Sequence, residues 1–282
     1  MITKKNRLMA KRLKYPSHWI SRKRENLTDA QKSKISVLTC YDATSAVLVE
    51  RGGVDAILVG DSLGMVVQGR SSTVPVTLEQ MIYHGQMVRR GAPDTFLIVD
   101  MPFGSYHASV TDGVRCGTEL FQKTEAQAVK LEGADKDSLA IIEKLVGAGA
   151  PVMGHIGFTP QSYLSLGGFR VQGRSDEAAD NLISQAKKLQ QAGCFAVVLE
   201  LLPAELAKRI TESVDIVTIG IGAGIHCDGQ VQVFHDLLGL LPDFSPKHAK
   251  KYDETAGRWI AAIQSYHDDV KNGRFPGTEN SN

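Results

Sequence analysis

The chain has 282 residues, of which 43% are hydrophobic and 22% charged, and its formal net charge is +1. This composition is typical of a soluble globular protein, and the near-neutral charge gives no general reason to expect binding to nucleic acid. We therefore expect small-molecule chemistry. No apolar run approaches the roughly 18 residues that a membrane-spanning helix needs, so we expect no membrane partner.

The first 26 residues are basic, with Lys and Arg throughout and Glu25 as the one acidic residue. They lack the apolar core of a secretory signal. A basic, acid-poor segment is also typical of a transit peptide. We predict instead that residues 1–26 form a frayed, solvated extension and that residues 27–282 form the catalytic domain with a C-terminal helix.

From residue 36 onward, short apolar runs alternate with longer amphipathic segments, which is the pattern of parallel β/α units. Helices are predicted over 78–90, 136–148, 177–192 and 204–213, and Gly91, Gly149 and Gly193 follow three of them as stop signals. Strands are predicted over 36–40, 56–59, 96–99, 128–131, 152–155, 196–199, 217–219 and 231–234. This pattern predicts an α/β fold, a single-domain (β/α)8 TIM barrel, with an open doubly wound sheet as the alternative.

After the last predicted strand, apolar residues recur at helical spacing. We interpret them as a helix face that packs against the barrel or another subunit. The residues are Trp259, Ile260, Ile263, Tyr266 and Val270.

The cysteines are scattered and show no C-x-x-C spacing, so neither a zinc site nor a disulfide framework is indicated. A reducing compartment fits this usage best. We therefore expect a cytoplasmic protein.

Acidic residues end three neighbouring predicted strands: "AILVGDS" runs into Asp61, "FLIVD" ends in Asp100 and "AVKLE" ends in Glu132. Taken singly, Asp or Ser after a strand is usually a turn residue or a helix cap. Because the carboxyl ends of barrel strands face one rim, we expect the three carboxylates to converge. Converging carboxylates repel one another and need a cation. All-oxygen ligation favours Mg²⁺, Mn²⁺ or Ca²⁺ over zinc, and we predict Mg²⁺ because it keeps waters that a chelating substrate can replace.

Three more side chains fall at the same rim. Lys130 alternates onto the same strand face as Glu132, where it either holds a substrate carboxylate or phosphate or forms a salt bridge with one of the acids. Glu200, at the end of "AVVLE", is a candidate general base, because burial raises the pKa of a carboxylate toward the range that suits proton abstraction. His155, in "GHIGFTPQS", is equally well interpreted as a structural or a functional histidine.

The glycine cluster "GIGAG", residues 220–224, does not match the dinucleotide-binding pattern, because Ile225 stands where that pattern requires glycine. Close backbone packing is our interpretation. A phosphate site after the seventh strand is the alternative.

A series of motifs runs in order over residues 39–281: "LVGDSLGMVVQG", "VDMPFGSY", "VKLEG", "GHIGFTPQS", "GGFRVQGR", "VLELLPAELAKRI", "IGIGAG", "DGQVQVFHDLLG" and "FPGTENS". Each motif alone is weak. Together they resemble the ketopantoate hydroxymethyltransferase family, whose members are (β/α)8 barrels that assemble into decamers and catalyse the first committed step of pantothenate, and hence coenzyme A, biosynthesis.

The resemblance implies a role for each candidate residue. It places Mg²⁺ ligands at Asp61, Asp100 and Glu132, and it makes Glu200 the proton acceptor. Contacts to the oxo acid are implied for Asp61, Ser62, Asp100, Lys130 and His155. The implied reaction transfers a hydroxymethyl group from 5,10-methylenetetrahydrofolate, a co-substrate, to 3-methyl-2-oxobutanoate through a Mg-stabilised enolate, giving 2-dehydropantoate.

Some positions depart from the family pattern. Ser71 stands where Asp is usual, and His248 where Phe is common. Leu201 replaces a residue that is often Cys, and we expect only a packing effect from it.

Two other functions are compatible with such a barrel. A metal-dependent C–C lyase would share the carboxylates, but it typically presents a cysteine motif in a mobile loop, and no cysteine here lies in one. A non-catalytic scaffold would have no need of Asp61, Asp100, Glu132 and Glu200 together at strand ends.

Overall fold

Eight parallel strands close into a barrel in the computed structural model, which describes residues 14–26, 34–244 and 246–281. Each strand pairs with the next, and the last pairs back with the first, with Val231 opposite Val37. The strands are β1 (Ile35–Thr39), β2 (Ala56–Val59), β3 (Phe96–Asp100), β4 (Ala128–Glu132), β5 (Val152–Gly157), β6 (Ala196–Glu200), β7 (Val217–Ile221) and β8 (Gly229–Gln232). The predicted (β/α)8 TIM barrel is therefore confirmed, and the open sheet is not formed.

Helices alternate with the strands, and all four predicted helices are present. The helix at 78–91 begins at a capping box in which Thr77 and Gln80 each accept a hydrogen bond from the backbone N–H of the other, which fixes its start. The helices are α1 (Pro16–Asn26), α2 (Ala43–Gly52), α3 (Leu63–Val66), α4 (Leu78–Gly91), α5 (Val110–Thr124), α6 (Lys136–Gly147), α7 (Asp176–Gln191), α8 (Ala204–Ser213), α9 (Phe234–Leu238) and α10 (Thr255–Lys271).

Two of the three predicted glycine stops are confirmed. Gly149 and Gly193 have φ of 91° and 99°, the left-handed conformation that ends many helices. The prediction for Gly91 is wrong, because Gly91 is the last residue of α4. A side chain there would collide with the carbonyl oxygen of Ala43, so this glycine permits the close approach of α2 to α4.

The last strand begins and ends two residues earlier than predicted. Gly229 lies opposite Ile35, and a Cβ at this glycine would come within 2.5 Å of the Ile35 carbonyl oxygen. Val233 already caps α9, so the prediction of a strand over 231–234 is wrong in its second half. The apolar residues Val231, Val233 and Phe234 continue across the boundary, which hides it in the sequence.

The interior of the barrel changes from apolar to charged along β3 and β6. Ile98 and Val198 belong to the buried core. Two residues further along the same strands come Asp100 and Glu200. Because residues two apart in a strand share a face, the strand pattern that builds the core also points these carboxylates inward at the carboxyl end.

Helix α1 packs at the amino-terminal end of the barrel. Trp19 is fully buried, and its ring centroid lies 5.2 Å from that of Phe96 and 5.4 Å from that of Phe195. Lys23 Nζ lies 3.0 Å from Asp228 Oδ2. The prediction of a frayed extension is therefore wrong for α1, because a buried Trp and two ion pairs, Arg22 with Asp55 and Lys23 with Asp228, anchor the helix. Residues 1–13 lie outside the described residues.

Residues from Val233 onward form a second compact unit, which contains α9, α10 and the short 3₁₀ helix Thr278–Asn280. The predicted apolar stripe lies on α10. Its side chains are largely exposed, with Trp259 at 60% and Ile263 at 65%. Among all described residues, no helix is long and apolar enough to cross a membrane.

Candidate active site

The sequence-predicted acidic and basic residues meet at the carboxyl end of the barrel. Asp100, Glu132 and Glu200 are the last residues of β3, β4 and β6, and Asp61 follows β2 by two positions. Lys130 lies in β4 opposite Asp100 in the strand register. Lys130, Asp61, Asp100, Glu132 and His155 are all buried, and the side chain of Glu200 is 15% exposed.

Lys130 is the buried cation of this rim. Its Nζ lies 3.2 Å from Asp100 Oδ1, 3.9 Å from Glu132 Oε1 and 3.2 Å from His155 Nδ1. The salt-bridge interpretation of Lys130 therefore holds in this structure. Among the described residues, only Asp100 and His155 are within hydrogen-bond distance of Nζ, so one of its three N–H donors can still contact an anionic substrate.

His155 links two carboxylates. Its Nδ1 lies 3.2 Å from Glu132 Oε1, and its Nε2 lies 3.2 Å from Glu200 Oε2. Burial lowers the pKa of His155, and Lys130 lowers it further. Because an ammonium can only donate, Nδ1 accepts from Lys130, which assigns the proton of the neutral ring to Nε2, facing Glu200.

Burial raises the pKa of each carboxylate at the rim. The pKa of Asp61 rises to about 6, with repulsion from Glu132 as a second cause, and the pKa of Asp100 rises to about 7. Burial also raises the pKa of Glu132 and of Glu200. Burial alone would lower the pKa of Lys130, but the surrounding carboxylates hold it above its ordinary value.

Ser62 occupies the N-cap position of α3, as its place after a strand indicates, but its side chain makes no capping hydrogen bond. Its Oγ instead lies 2.9 Å from the hydroxyl oxygen of Tyr41. Tyr41 was missed by the sequence analysis, since a Tyr after β1 carries no charge or motif that marks it.

Gln161, in the turn after β5, was also missed, although it contacts two of the predicted carboxylates. Its Nε2 donates to Asp61 Oδ2 at 2.8 Å and to the carbonyl oxygen of Met101 at 2.9 Å. Its backbone N–H donates to Glu132 Oε2 at 3.1 Å, and the hydroxyl of Tyr106 donates to its Oε1 at 2.5 Å. The available signal was its place in "GHIGFTPQS", directly after Pro160.

The backbone after Glu200 is strained. Leu201 has a φ of 48°, in the left-handed region that favours glycine. Its N–H donates to the carbonyl oxygen of Ile221 and its own carbonyl oxygen accepts from the N–H of Gln172, both at 2.9 Å. These backbone features do not depend on whether Leu or Cys stands here, so the packing effect expected of Leu201 stays a prediction.

The glycine cluster at residues 220–224 packs closely, as interpreted. A Cβ at Gly224 would collide with the side chain of Ala204, and one at Gly220 would come within 3.0 Å of Cys227 Sγ. These contacts account for Gly220 and Gly224 without a phosphate.

The donor set at the rim fits a hard divalent cation. Four buried or nearly buried carboxylates face one ammonium, and Asp100 Oδ1 and Glu132 Oε1 are buried oxygens that accept no well-aligned hydrogen bond. Oxygen ligands of this kind suit Mg²⁺. Within the described part of the chain, however, no three His, Cys, Asp or Glu side chains already surround one point that could hold a metal ion. Lys130 and Gln161 contact the carboxylates instead.

A closed (β/α)8 barrel with a charged cluster at the carboxyl ends of its strands defines the class of (β/α)8-barrel enzymes. Residues 22–278 match the family model described as ketopantoate hydroxymethyltransferase. The chain belongs to this family and is a transferase.

Curated relatives agree with the family model. The chain is 49% identical over 250 residues to a 3-methyl-2-oxobutanoate hydroxymethyltransferase of Leptospira interrogans, covering 89% of this chain and 94% of the relative. It is 51% identical over 245 residues to one of Deinococcus radiodurans, covering 87% and 86%. It is 50% identical over 250 residues to one of Thermotoga maritima, covering 89% and 92%.

Solved structures of low sequence identity share the fold. A phosphonopyruvate hydrolase in complex with oxalate and Mg²⁺ superposes with a TM-score of 0.59 at 8% identity, covering 94% of this chain and 92% of that one. A 2,3-dimethylmalate lyase superposes with a TM-score of 0.56 at 14% identity, covering 93% and 86%. At these identities the similarity concerns the barrel alone.

Proposed function

We propose that the protein transfers a hydroxymethyl group from 5,10-methylenetetrahydrofolate to 3-methyl-2-oxobutanoate, giving 2-dehydropantoate for pantothenate and coenzyme A biosynthesis. The observation that carries this proposal is that Glu200, the most exposed acid of the rim, lies at the same strand ends as a buried ammonium and three buried carboxylates, with His155 between Glu200 and Glu132. Family membership and the names of the relatives support it.

Asp61, Asp100 and Glu132 would hold Mg²⁺. The excess of buried carboxylates over buried cations, and the raised pKa of each acid, support a cation at this place. When bound, the ion supplies positive charge that polarises the 2-oxo group and acidifies the proton on C3.

The protein's own groups would then bind substrate and move the proton. Lys130 and Ser62 hold the carboxylate of the oxo acid, which orients C3 toward Glu200. Glu200 accepts the C3 proton, a role that its raised pKa favours, and His155 Nε2–H supports the glutamate oxygen that faces it. The carbon nucleophile forms a bond to the one-carbon unit, and both carbon–nitrogen bonds of that unit are broken. Water supplies the hydroxyl group, and the two released nitrogens take up the proton from C3 and the second proton of water as tetrahydrofolate leaves.

We further propose that the protein acts in the cytoplasm as a homo-oligomer, a decamer by its resemblance to the family. The exposed apolar stripe of α10 supports association between copies of the chain. The cysteines of the described residues are free and buried, which supports a reducing compartment.

The test is exchange of the C3 proton of 3-methyl-2-oxobutanoate, followed by NMR in D₂O with Mg²⁺ and without folate. The native protein should exchange the proton, and Glu200→Gln and Asp100→Asn should lose exchange by about 100-fold or more. Glu205→Gln, an exposed acid on α8, is the matched control and should exchange normally. Full exchange in Glu200→Gln would mean that another group is the base.

A further inference from the structure

The turn Pro160–Ser162 brings into the rim a side chain to which the proposed chemistry gives no part. We propose that Gln161 is a positioning residue, which fixes the orientation of the Asp61 and Glu132 carboxylates that would hold the divalent cation. The inference rests on the proposed function, since the ion belongs to it. Gln161 acts through the two carboxylates and has no assigned contact with substrate.

The side-chain amide of Gln161 is fixed in one orientation. Both hydrogens of Nε2 are used, on Asp61 Oδ2 and on the Met101 carbonyl oxygen, and Oε1 accepts from the hydroxyl of Tyr106. A flipped amide would place Oε1 against two acceptors, which costs hydrogen bonds at a buried site. Because Gln161 is only 5% exposed, water does not replace these bonds freely. One oxygen of Asp61 is therefore held in a set direction.

The backbone of the same residue holds one oxygen of Glu132. The N–H of Gln161 donates to Glu132 Oε2, and the other oxygen, Oε1, is the one that lacks an aligned donor. A single residue thus orients carboxylates from two different strand ends, β2 and β4. Groups that orient metal ligands in this way typically change metal affinity by 10–100-fold when removed.

The competing interpretation is a hydrogen-bond hub that only stabilises the fold. It predicts that removing the Gln161 side chain lowers the free energy of unfolding and leaves the affinity for the metal ion unchanged. Metal affinity, measured without substrate and without turnover, separates the two interpretations.

The experiment is a titration of the full-length protein with Mn²⁺ alone, an oxygen-preferring ion whose free concentration is read by electron paramagnetic resonance. Gln161→Met keeps the length of the side chain, removes its amide donors and acceptor, and retains the backbone N–H that contacts Glu132. It therefore tests the contact with Asp61, and the Mn²⁺ Kd should rise about tenfold or more. Gln127→Met is the matched control. Gln127 lies at the amino-terminal end of β4, where its Oε1 accepts from Arg89 and from the N–H of Leu97. Its substitution should leave the Kd unchanged.

The outcomes separate the inference from the proposed function. If the native protein binds Mn²⁺ and Gln161→Met binds it with the same Kd, the positioning role of the Gln161 side chain is overturned and the proposed function stands. If the native protein binds no Mn²⁺, the metal in the proposed function is rejected, and the inference with it. If Gln161→Met does not fold, Tyr106→Phe decides: it releases Oε1, so a rise of about threefold or more in Kd supports the inference and an unchanged Kd overturns it.

Discussion

Glu200 differs from the other acids of the rim in access. Its side chain is 15% exposed, whereas those of Asp100 and Glu132 are each 4% exposed. Burial raises the pKa of Glu200, and contact with His155 lowers it. The two effects therefore oppose each other at the proposed proton acceptor. The pH dependence of proton removal should therefore depend on His155 as well as on Glu200.

A pH series of C3 exchange tests that pair. Exchange should rise with pH, because Glu200 accepts a proton only when ionised, and the midpoint should lie above the ordinary glutamate pKa of about 4.3. His155→Leu removes the group that lowers the pKa of Glu200, so the midpoint should move to higher pH. An unmoved midpoint would show that His155 does not act on the base.

Leu201 is a second residue whose conformation matters. Its positive φ is unfavourable for any residue with a Cβ and most unfavourable for a β-branched one. Leu201→Val should lower the free energy of unfolding by about 1–3 kcal/mol, measured by urea denaturation. Leu201→Gly, which adopts this φ without steric cost, should lose less. Equal losses in the two variants would contradict the backbone explanation.

At the scale of elements, α1 shows how one buried side chain can anchor a largely polar helix to the barrel. Of its sequence PSHWISRKREN, Trp19 is fully buried and packs on the rings of Phe96 and Phe195. Two of its charged residues, Arg22 and Lys23, are themselves buried, each against an aspartate. The helix is therefore part of the barrel's folding unit.

Removing the anchor of α1 should destabilise the barrel. Trp19→Ala should lower the free energy of unfolding by about 3–5 kcal/mol, because it empties a fully buried site. Trp19→Phe keeps an aromatic ring and should lose clearly less. A loss below about 1 kcal/mol in Trp19→Ala, measured by urea denaturation, would show that α1 contributes little to stability.

The sequence predicted elements and site residues to different extents, for physical reasons. Asp100, Glu132 and Glu200 follow from strand periodicity, since an acid at the end of an apolar strand has one possible rim to face. Gln161 does not follow from it, because its contact with Asp61 joins residues 100 positions apart and depends on the path of a turn. Helix α1 escaped prediction because its basic composition resembles that of a solvated tail.

At the scale of the whole molecule, association should depend on the stripe of α10. Ile263 is 65% exposed and lies on the same helix face as Trp259 and Tyr266. Ile263→Glu places a charge in this stripe and should reduce the assembly toward the 30.6 kDa protomer, measured by light scattering after size-exclusion chromatography. Gln264→Glu adds the same charge one residue further round the helix and should leave the mass unchanged. A native protein that already runs as a protomer would contradict the proposed oligomer.

The contacts that anchor α1 determine when this helix can dock during synthesis of the chain. Lys23 leaves the exit tunnel early, yet it donates to the carbonyl oxygen of Ile216, 193 positions later, and pairs with Asp228. At ordinary synthesis rates that separation corresponds to on the order of 10–40 s. During most of this interval Phe195, the ring on which Trp19 packs, has not been synthesised. During the rest of it the barrel is still open. Docking of α1 is thus a late step in making this protein, and α1 is open to chaperones throughout that interval.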